Sequence, residues 1–319
     1  MVKRARAIAR RGRRAAAASV GVAQSVGRAM RRPATYPGYL KEAVWGALNL
    51  TVYPVGLVAD ALKVEDAVRL GDRYSRALPL RYVSPEAAST PIILLHGLFH
   101  NRSAFLLMRR MLRRVGYRTV DTMNYNVIGN DVEELAGQLA AHVEHVLASA
   151  EATQVHLIGH SLGGLVARYY IQELGGHEKV HTCVTLGTPH QGSYAAWIGR
   201  GKAARQLRPG SDLLTSLSAT ARRLPVRFVS FYSNLDGMVL PPSNAKLVDL
   251  ELRARNILVK DVGHISLLIS RQIIRSIAGI LSSLDDPNAI VEPLPRRAAA
   301  RTRRPPSAGA GPSASSLDG

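Results

Sequence analysis

Val155-His156-Leu157-Ile158-Gly159-His160-Ser161-Leu162-Gly163-Gly164 is the stretch on which the fold turns. Val155 to Gly159 has the length and apolar character of a buried strand, and Leu162 to Leu174 reads as a helix. Gly-x-Ser-x-Gly by itself also suits a plain Gly-Ser turn. A strand directly before it and a helix directly after it favour a sharp elbow that lifts Ser161 off the end of a sheet. The flanking glycines permit that tight turn. Ser161 then stands at a helix N-terminus, where amide groups and the helix dipole favour developing negative charge.

Outward from the elbow, apolar runs alternate with amphipathic segments from Leu80 onward, the pattern of parallel β-α-β units. Strands are expected at Pro91–Leu95, Arg118–Met123, Val180–Leu186, Val226–Tyr232 and Asn256–Lys260, and helices at Ser103–Val115 and Ile265–Leu284. Another helix carries Val132, Leu135, Leu139, Val143 and Val146 at helical spacing, with Asn130 as its expected cap and Glu133 completing a capping box. Between Gln191 and Pro225 no strand is expected. The fold class is α/β, a mostly parallel central sheet flanked by helices, with a helical insertion over 191–225.

The chain has 319 residues, 46% hydrophobic and 20% charged, which excludes wholesale disorder. The lone Cys183 excludes an internal disulfide and any cysteine-cluster metal site. The net charge of +19 is uneven, since residues 1–32 hold ten basic residues and no acid. That segment is read as a flexible basic arm suited to an anionic surface, with no specific nucleic-acid recognition. A cleaved export signal is the less favoured reading, because the apolar centre is short and lacks leucine. Cytoplasm or a membrane surface is therefore preferred over export. Residues 33–79 are read as a helical segment. Within it, 43–62 is interrupted by Asn49, Pro54 and Asp60, a poor membrane span that suits either a membrane surface or packing on the main domain. Residues 80–284 form the expected catalytic domain, and 285–319, rich in Pro, Ala, Ser and Arg, the disordered tail. Nothing in the sequence sets the oligomeric state.

A serine hydroxyl is a weak nucleophile and needs a positioned base. His264 follows the last expected strand, where an elbow fold places that base. Asp236 follows the strand Val226–Tyr232 and is the candidate to orient the imidazole, with Asp249 and Asp261 as rivals near His264 in sequence. The oxyanion of an acyl transfer needs amide donors. Leu162, after the serine, and Leu98, after Ile92-Ile93-Leu94-Leu95-His96-Gly97, are the candidates. His96 is expected to have a hydrogen-bonding role only. Phe99, His160, His190, Trp197 and Leu214 are candidates to line a substrate pocket, the last two within one apolar face of the insertion.

Taken together, His96-Gly97, Gly159-His160-Ser161-Leu162-Gly163-Gly164, Thr188-Pro189-His190-Gln191-Gly192, Asp236-Gly237 and Gly263-His264 resemble the α/β-hydrolase-fold lipases and esterases, particularly bacterial triacylglycerol lipases. The resemblance spans roughly residues 80–284. It implies a serine ester hydrolase working through Ser161, His264 and Asp236 on a lipid-like ester, with the insertion as a lid or cap. A phospholipase or acyltransferase using the same triad is equally compatible with the motifs. A non-catalytic hydrolase-like scaffold with a basic arm is the alternative of another class. Many such lipases hold calcium through an aspartate just after the catalytic histidine. Here Ile265-Ser266-Leu267-Leu268 follow it, so no metal and no other cofactor is expected.

Overall fold

The computed structural model describes residues 83–283, apart from Phe99. The basic arm, the segment 33–79, the tail and Phe99 lie outside the described residues.

Six parallel strands form one sheet: β1 (Ile92–Leu95), β2 (Val120–Met123), β3 (Val155–His160), β4 (Val180–Leu186), β5 (Arg227–Ser233) and β6 (Arg255–Val259). Their order is β2-β1-β3-β4-β5-β6. The strand order reverses between β1 and β3, and loops leaving the carboxyl ends of two such strands diverge to leave a crevice for a ligand. Gly97 and Ser161 lie just past those two ends.

Helices α1 (Pro85–Ser89), α2 (Leu106–Val115), α3 (Val132–Ala150), α4 (Leu162–Glu173), α5 (Lys202–Gln206), α6 (Asp212–Ala219) and α7 (Arg271–Ser282) complete the elements named here. Side chains alternate across the strands, so the inner strands feed two cores, while the edge strand β6 packs only Ile257 and Val259 against one of them. Ile93, Leu95 and Leu157 pack with α3 and α4 on one face. Ile92, Leu94 and Ile158 pack with α2 and α7 on the other. This double burial explains why β1 and β3 read as largely apolar runs rather than alternating ones.

Several boundaries differ from expectation. The helix expected from Ser103 begins with a 3-10 turn, Arg102–Phe105, and becomes α-helical only at Leu106. The expected closing helix is broken into a 3-10 turn, Ile265–Leu268, and α7, where Ser270 caps by accepting from Ile273 N–H. Helix α3 is capped one residue later than expected. Asp131, not Asn130, accepts from Glu134 N–H, and Glu134, not Glu133, reaches back to Asp131 N–H. Asn130 instead donates to Asn126 C=O. Two adjacent residues of equal capping ability cannot be separated by propensity alone.

The insertion contains no strand, as expected, but its apolar residues do not share one face. Leu207, Leu213, Leu214 and Leu217 are buried in the same core as α3 and α4. Trp197 and Ile198 are 59% and 88% exposed. The i, i+1, i+4 spacing of the three α6 leucines turns them all toward the domain. The insertion is also stitched down by polar contacts. Gln172 Nε2 and Arg168 in α4 both donate to Leu217 C=O, and Val132 N–H donates to Gln206 Oε1.

Candidate active site

Ser161 links β3 to α4 with φ 54° and ψ −121°. For a residue with a Cβ, such a conformation costs roughly 1–3 kcal/mol and persists only when the surroundings enforce it. They do so at three points. Ser161 N–H donates to Leu186 C=O at 2.9 Å. A Cβ on Gly159 would lie 2.5 Å from Gly164 Cα, and one on Gly163 would lie 2.3 Å from Leu95 C=O. Both glycines are thus required because backbone meets backbone there. A Cβ on Gly97 would stand 3.0 Å from Ser161 Cβ, so the loop after β1, which carries Leu98, abuts the serine. Leu162 opens α4 immediately after it.

His264 and Asp236 come from loops after β6 and β5. His264 Nδ1 donates to Asp236 Oδ2 at 2.7 Å, with both side chains buried. The other carboxylate oxygen accepts from Met238 N–H at 2.9 Å and Val239 N–H at 2.8 Å. One oxygen therefore anchors the carboxylate to its loop while the other orients the imidazole. Because Nδ1 carries the proton, Nε2 keeps the lone pair that a base uses. The two loops are joined nearby, for Ser233 Oγ donates to Val262 C=O and Asp261 N–H donates to Asn234 Oδ1. Gly187 lies beneath the pair, where a Cβ would fall 2.9 Å from Asp236 Oδ2 and 3.0 Å from His264 Nδ1.

The rival aspartates are engaged elsewhere. Asp249 pairs with the fully buried Arg168 at 2.7 Å. Asp261 is exposed and bonded to Asn234. His160 is fully buried. Its Nε2 donates to the His264 backbone C=O at 3.1 Å, and its ring centroid lies 4.6 Å from that of His264. Since His160 precedes Ser161, these contacts tie the elbow to the histidine loop. Burial, followed by the neighbouring His264 and His100, holds His160 far below the usual imidazole range, so it stays neutral.

Of the remaining expected lining residues, His190 is buried, with Nε2 3.0 Å from Thr185 Oγ1. Leu214 is sealed in the core, and Trp197 lies open with the Arg208 guanidinium 4.6 Å above its ring. Sequence reasoning missed Tyr125, which stacks on His96, and His100, whose ring meets His160 edge-on at 5.5 Å. No motif marks either one, and only the convergence of strand ends brings them in. Among the described residues no group of three His, Cys, Asp or Glu side chains is arranged to hold a metal ion, and no helix is long and apolar enough to cross a membrane.

A parallel sheet of this order, with a strained serine elbow after β3 and a histidine–carboxylate pair after β6 and β5, defines an α/β-hydrolase fold. The mature lipase BlEst2 of Bacillus licheniformis shares it, with a TM-score of 0.54 at 18% identity over 64% of this chain and 96% of that one. Residues 91–221, less than half of the chain, match the palmitoyl protein thioesterase family. A triacylglycerol lipase from Pseudarthrobacter phenanthrenivorans is 50% identical over 56 residues, 18% of this chain and 17% of that protein. The lysosomal thioesterase PPT2-B of Xenopus laevis is 27% identical over 136 residues, 41% of this chain and 47% of that protein. The chain thus spans less than half the length of these curated relatives.

Proposed function

We propose that the protein is a serine ester hydrolase acting on lipid-like carboxylic esters. The observation that carries this reading is the buried His264–Asp236 hydrogen bond of 2.7 Å, on a histidine whose backbone is tethered to the residue before a strained serine. Ser161 Oγ attacks the ester carbonyl carbon and passes its proton to His264 Nε2. The negative charge arriving on the carbonyl oxygen is met by the amides of Leu98 and Leu162. Asp236 stabilises the imidazolium that forms. The C–O bond to the alcohol then breaks, and the imidazolium proton goes to the departing oxygen. Water, deprotonated by the same imidazole, attacks the acyl-serine. Collapse of that second adduct releases the acid and returns the proton to Ser161.

A second reading is favoured by the thioesterase match over residues 91–221, namely a fatty-acyl thioester as substrate. The same residues would act, with a thiolate leaving in place of an alkoxide. A p-nitrophenyl ester chain-length series, run beside palmitoyl thioester with Ser161→Ala as control, tests both. Hydrolysis rising with chain length on oxygen esters supports the first reading, and strong preference for the thioester supports the second. No turnover on either, with no labelling by a fluorophosphonate, would overturn both and favour a non-catalytic scaffold. The basic arm is the proposed contact with anionic membrane surfaces. Deleting residues 1–32 should abolish low-salt co-sedimentation with anionic liposomes and leave short-ester turnover unchanged. Undiminished co-sedimentation would refute that contact.

A further inference from the structure

We infer that Tyr125 is a positioning residue for the oxyanion site, acting through His96 on the Gly97–Leu98 peptide; the inference rests on the serine hydrolase reading above. A trans peptide is planar, with its C=O and N–H pointing in opposite directions. Whatever holds the Gly97 carbonyl therefore aims the Leu98 N–H. That carbonyl accepts from His96 Nδ1 at 2.9 Å and from His100 N–H at 3.3 Å. A carbonyl oxygen can only accept, so His96 must carry its proton on Nδ1.

Tyr125 sets that tautomer. It lies two residues beyond the end of β2, beside β1, and is buried. Its backbone N–H donates to His96 Nε2 at 3.3 Å, which keeps Nε2 without a proton and leaves the hydrogen on Nδ1. Its ring stacks on the imidazole, with centroids 4.1 Å apart and planes 16° from parallel. Its hydroxyl donates to the His96 backbone C=O. Burial pushes the phenol well above its ordinary pKa, so that donor is retained over the working pH range. One residue thus grips His96 at the ring face, at Nε2 and at the main chain. Rotation of the His96 ring would free the Gly97 carbonyl and let the Leu98 N–H swing away from the oxygen it must meet. Gly97 makes this control necessary, because a glycine peptide turns more freely than any other.

The test measures turnover of a short p-nitrophenyl ester and inhibition by a trifluoromethyl ketone, whose serine adduct carries an oxyanion. Folding is monitored by the thermal midpoint. Loss of one oxyanion donor costs about 10²–10³ in kcat. His96→Leu should approach that loss. His96→Asn, whose side-chain amide can replace Nδ1–H, should recover part of it. Tyr125→Phe keeps the stack and the backbone donor and should lose roughly tenfold, within the range of a single net hydrogen bond. In each variant KM should stay near wild type, and ketone affinity should fall in proportion to kcat/KM. A merely structural role would lower the thermal midpoint without that proportionality. Nitrogen NMR of the His96 ring should show Nδ1–H in the wild type and still in Tyr125→Phe, which keeps the backbone donor to Nε2, so the tenfold loss there reports the main-chain grip alone. Full activity in folded His96→Leu, or ketone affinity unchanged while kcat falls, would overturn the inference alone. Absence of hydrolysis by the wild-type chain would overturn it together with the reading on which it rests.

Discussion

His264 sits past the carboxyl end of the sheet and His156 near its amino end, at the start of β3. Both are buried, at 4% and 0% exposure. His264 has a carboxylate 2.7 Å away. Among the described residues neither ring nitrogen of His156 finds a hydrogen-bond partner, and its ring meets that of His181 edge-on at 5.3 Å. Burial first, then His181 and Arg227, lower its pKa to about 3. Two residues of one type and similar burial thus have opposite uses. In the proposed mechanism the first takes a proton and is compensated when it does. The second is held neutral, and protonating it opposes folding. A partner at the right atom, rather than burial, is what suits a core histidine to act as a base.

Ser161→Ala strips the first region of its proposed nucleophile, and ester turnover should fall by about 10⁶-fold, as for loss of a serine protease nucleophile. Near-normal turnover by the purified mutant would remove Ser161 from the chemistry. Asp236→Asn keeps the shape of the pair but removes its charge and lets His264 adopt the wrong tautomer, so turnover should drop by about 10⁴-fold. Asp261→Asn, at an exposed site, should stay within a few-fold of wild type. If the two exchange outcomes, the compensated histidine is not compensated by Asp236.

Asp249→Asn should behave unlike either. It leaves the Arg168 guanidinium buried without its counter-charge, which costs roughly 3 kcal/mol of stability. Activity per folded molecule should remain, as read by urea unfolding beside active-site titration. Unaltered unfolding would mean that the buried pair contributes nothing net.

The second region is probed by acid. As pH falls past 6.5 the unfolded chain protonates His156, whereas the folded chain does not until about pH 3. Stability contributed by the neutral form is therefore complete above 6.5 and is lost between 6.5 and about 3. His100, lowered to about 4, loses its contribution over the upper part of the same window, and the buried His160 and His190 act in the same direction. At pH 4.5 the share of His156 is roughly 2–3 kcal/mol, from about 1.4 kcal/mol per pKa unit. His156→Leu should flatten the loss of urea midpoint between pH 7.5 and 4.5 by that share. Parallel pH profiles for the two proteins would contradict this account.

The elbow is legible in the sequence because its chemistry is local. A strand, a tight glycine turn and a helix occupy consecutive residues, and Gly159 and Gly163 are needed where neighbouring backbone leaves no space for a side chain. The inner strands β1, β3 and β4 are legible because two-sided burial writes mostly apolar runs, whereas the edge strands β2 and β6 carry Asp121 and the exposed Arg255 and Asn256. The capping of α3 is legible only to within one residue, because Asn130 and Asp131 have nearly equal propensity. Other features depend on which distant segments meet. Asp236 is favoured over Asp249 and Asp261 along the chain only by its place after a strand, and the spatial placement of Arg168, Asn234 and His264 engages the three differently. The leucines of 207–217 fit an exposed apolar face and a core equally well by spacing, and packing against α3 and α4 decides for the core. Tyr125 carries no signal at all until the ends of β1 and β2 bring it onto His96. Periodicity and turn chemistry act between neighbours and are written in the sequence. The partner that a buried polar group finds from across the sheet belongs to the tertiary structure, because it is fixed only when desolvation forces each such group to find one.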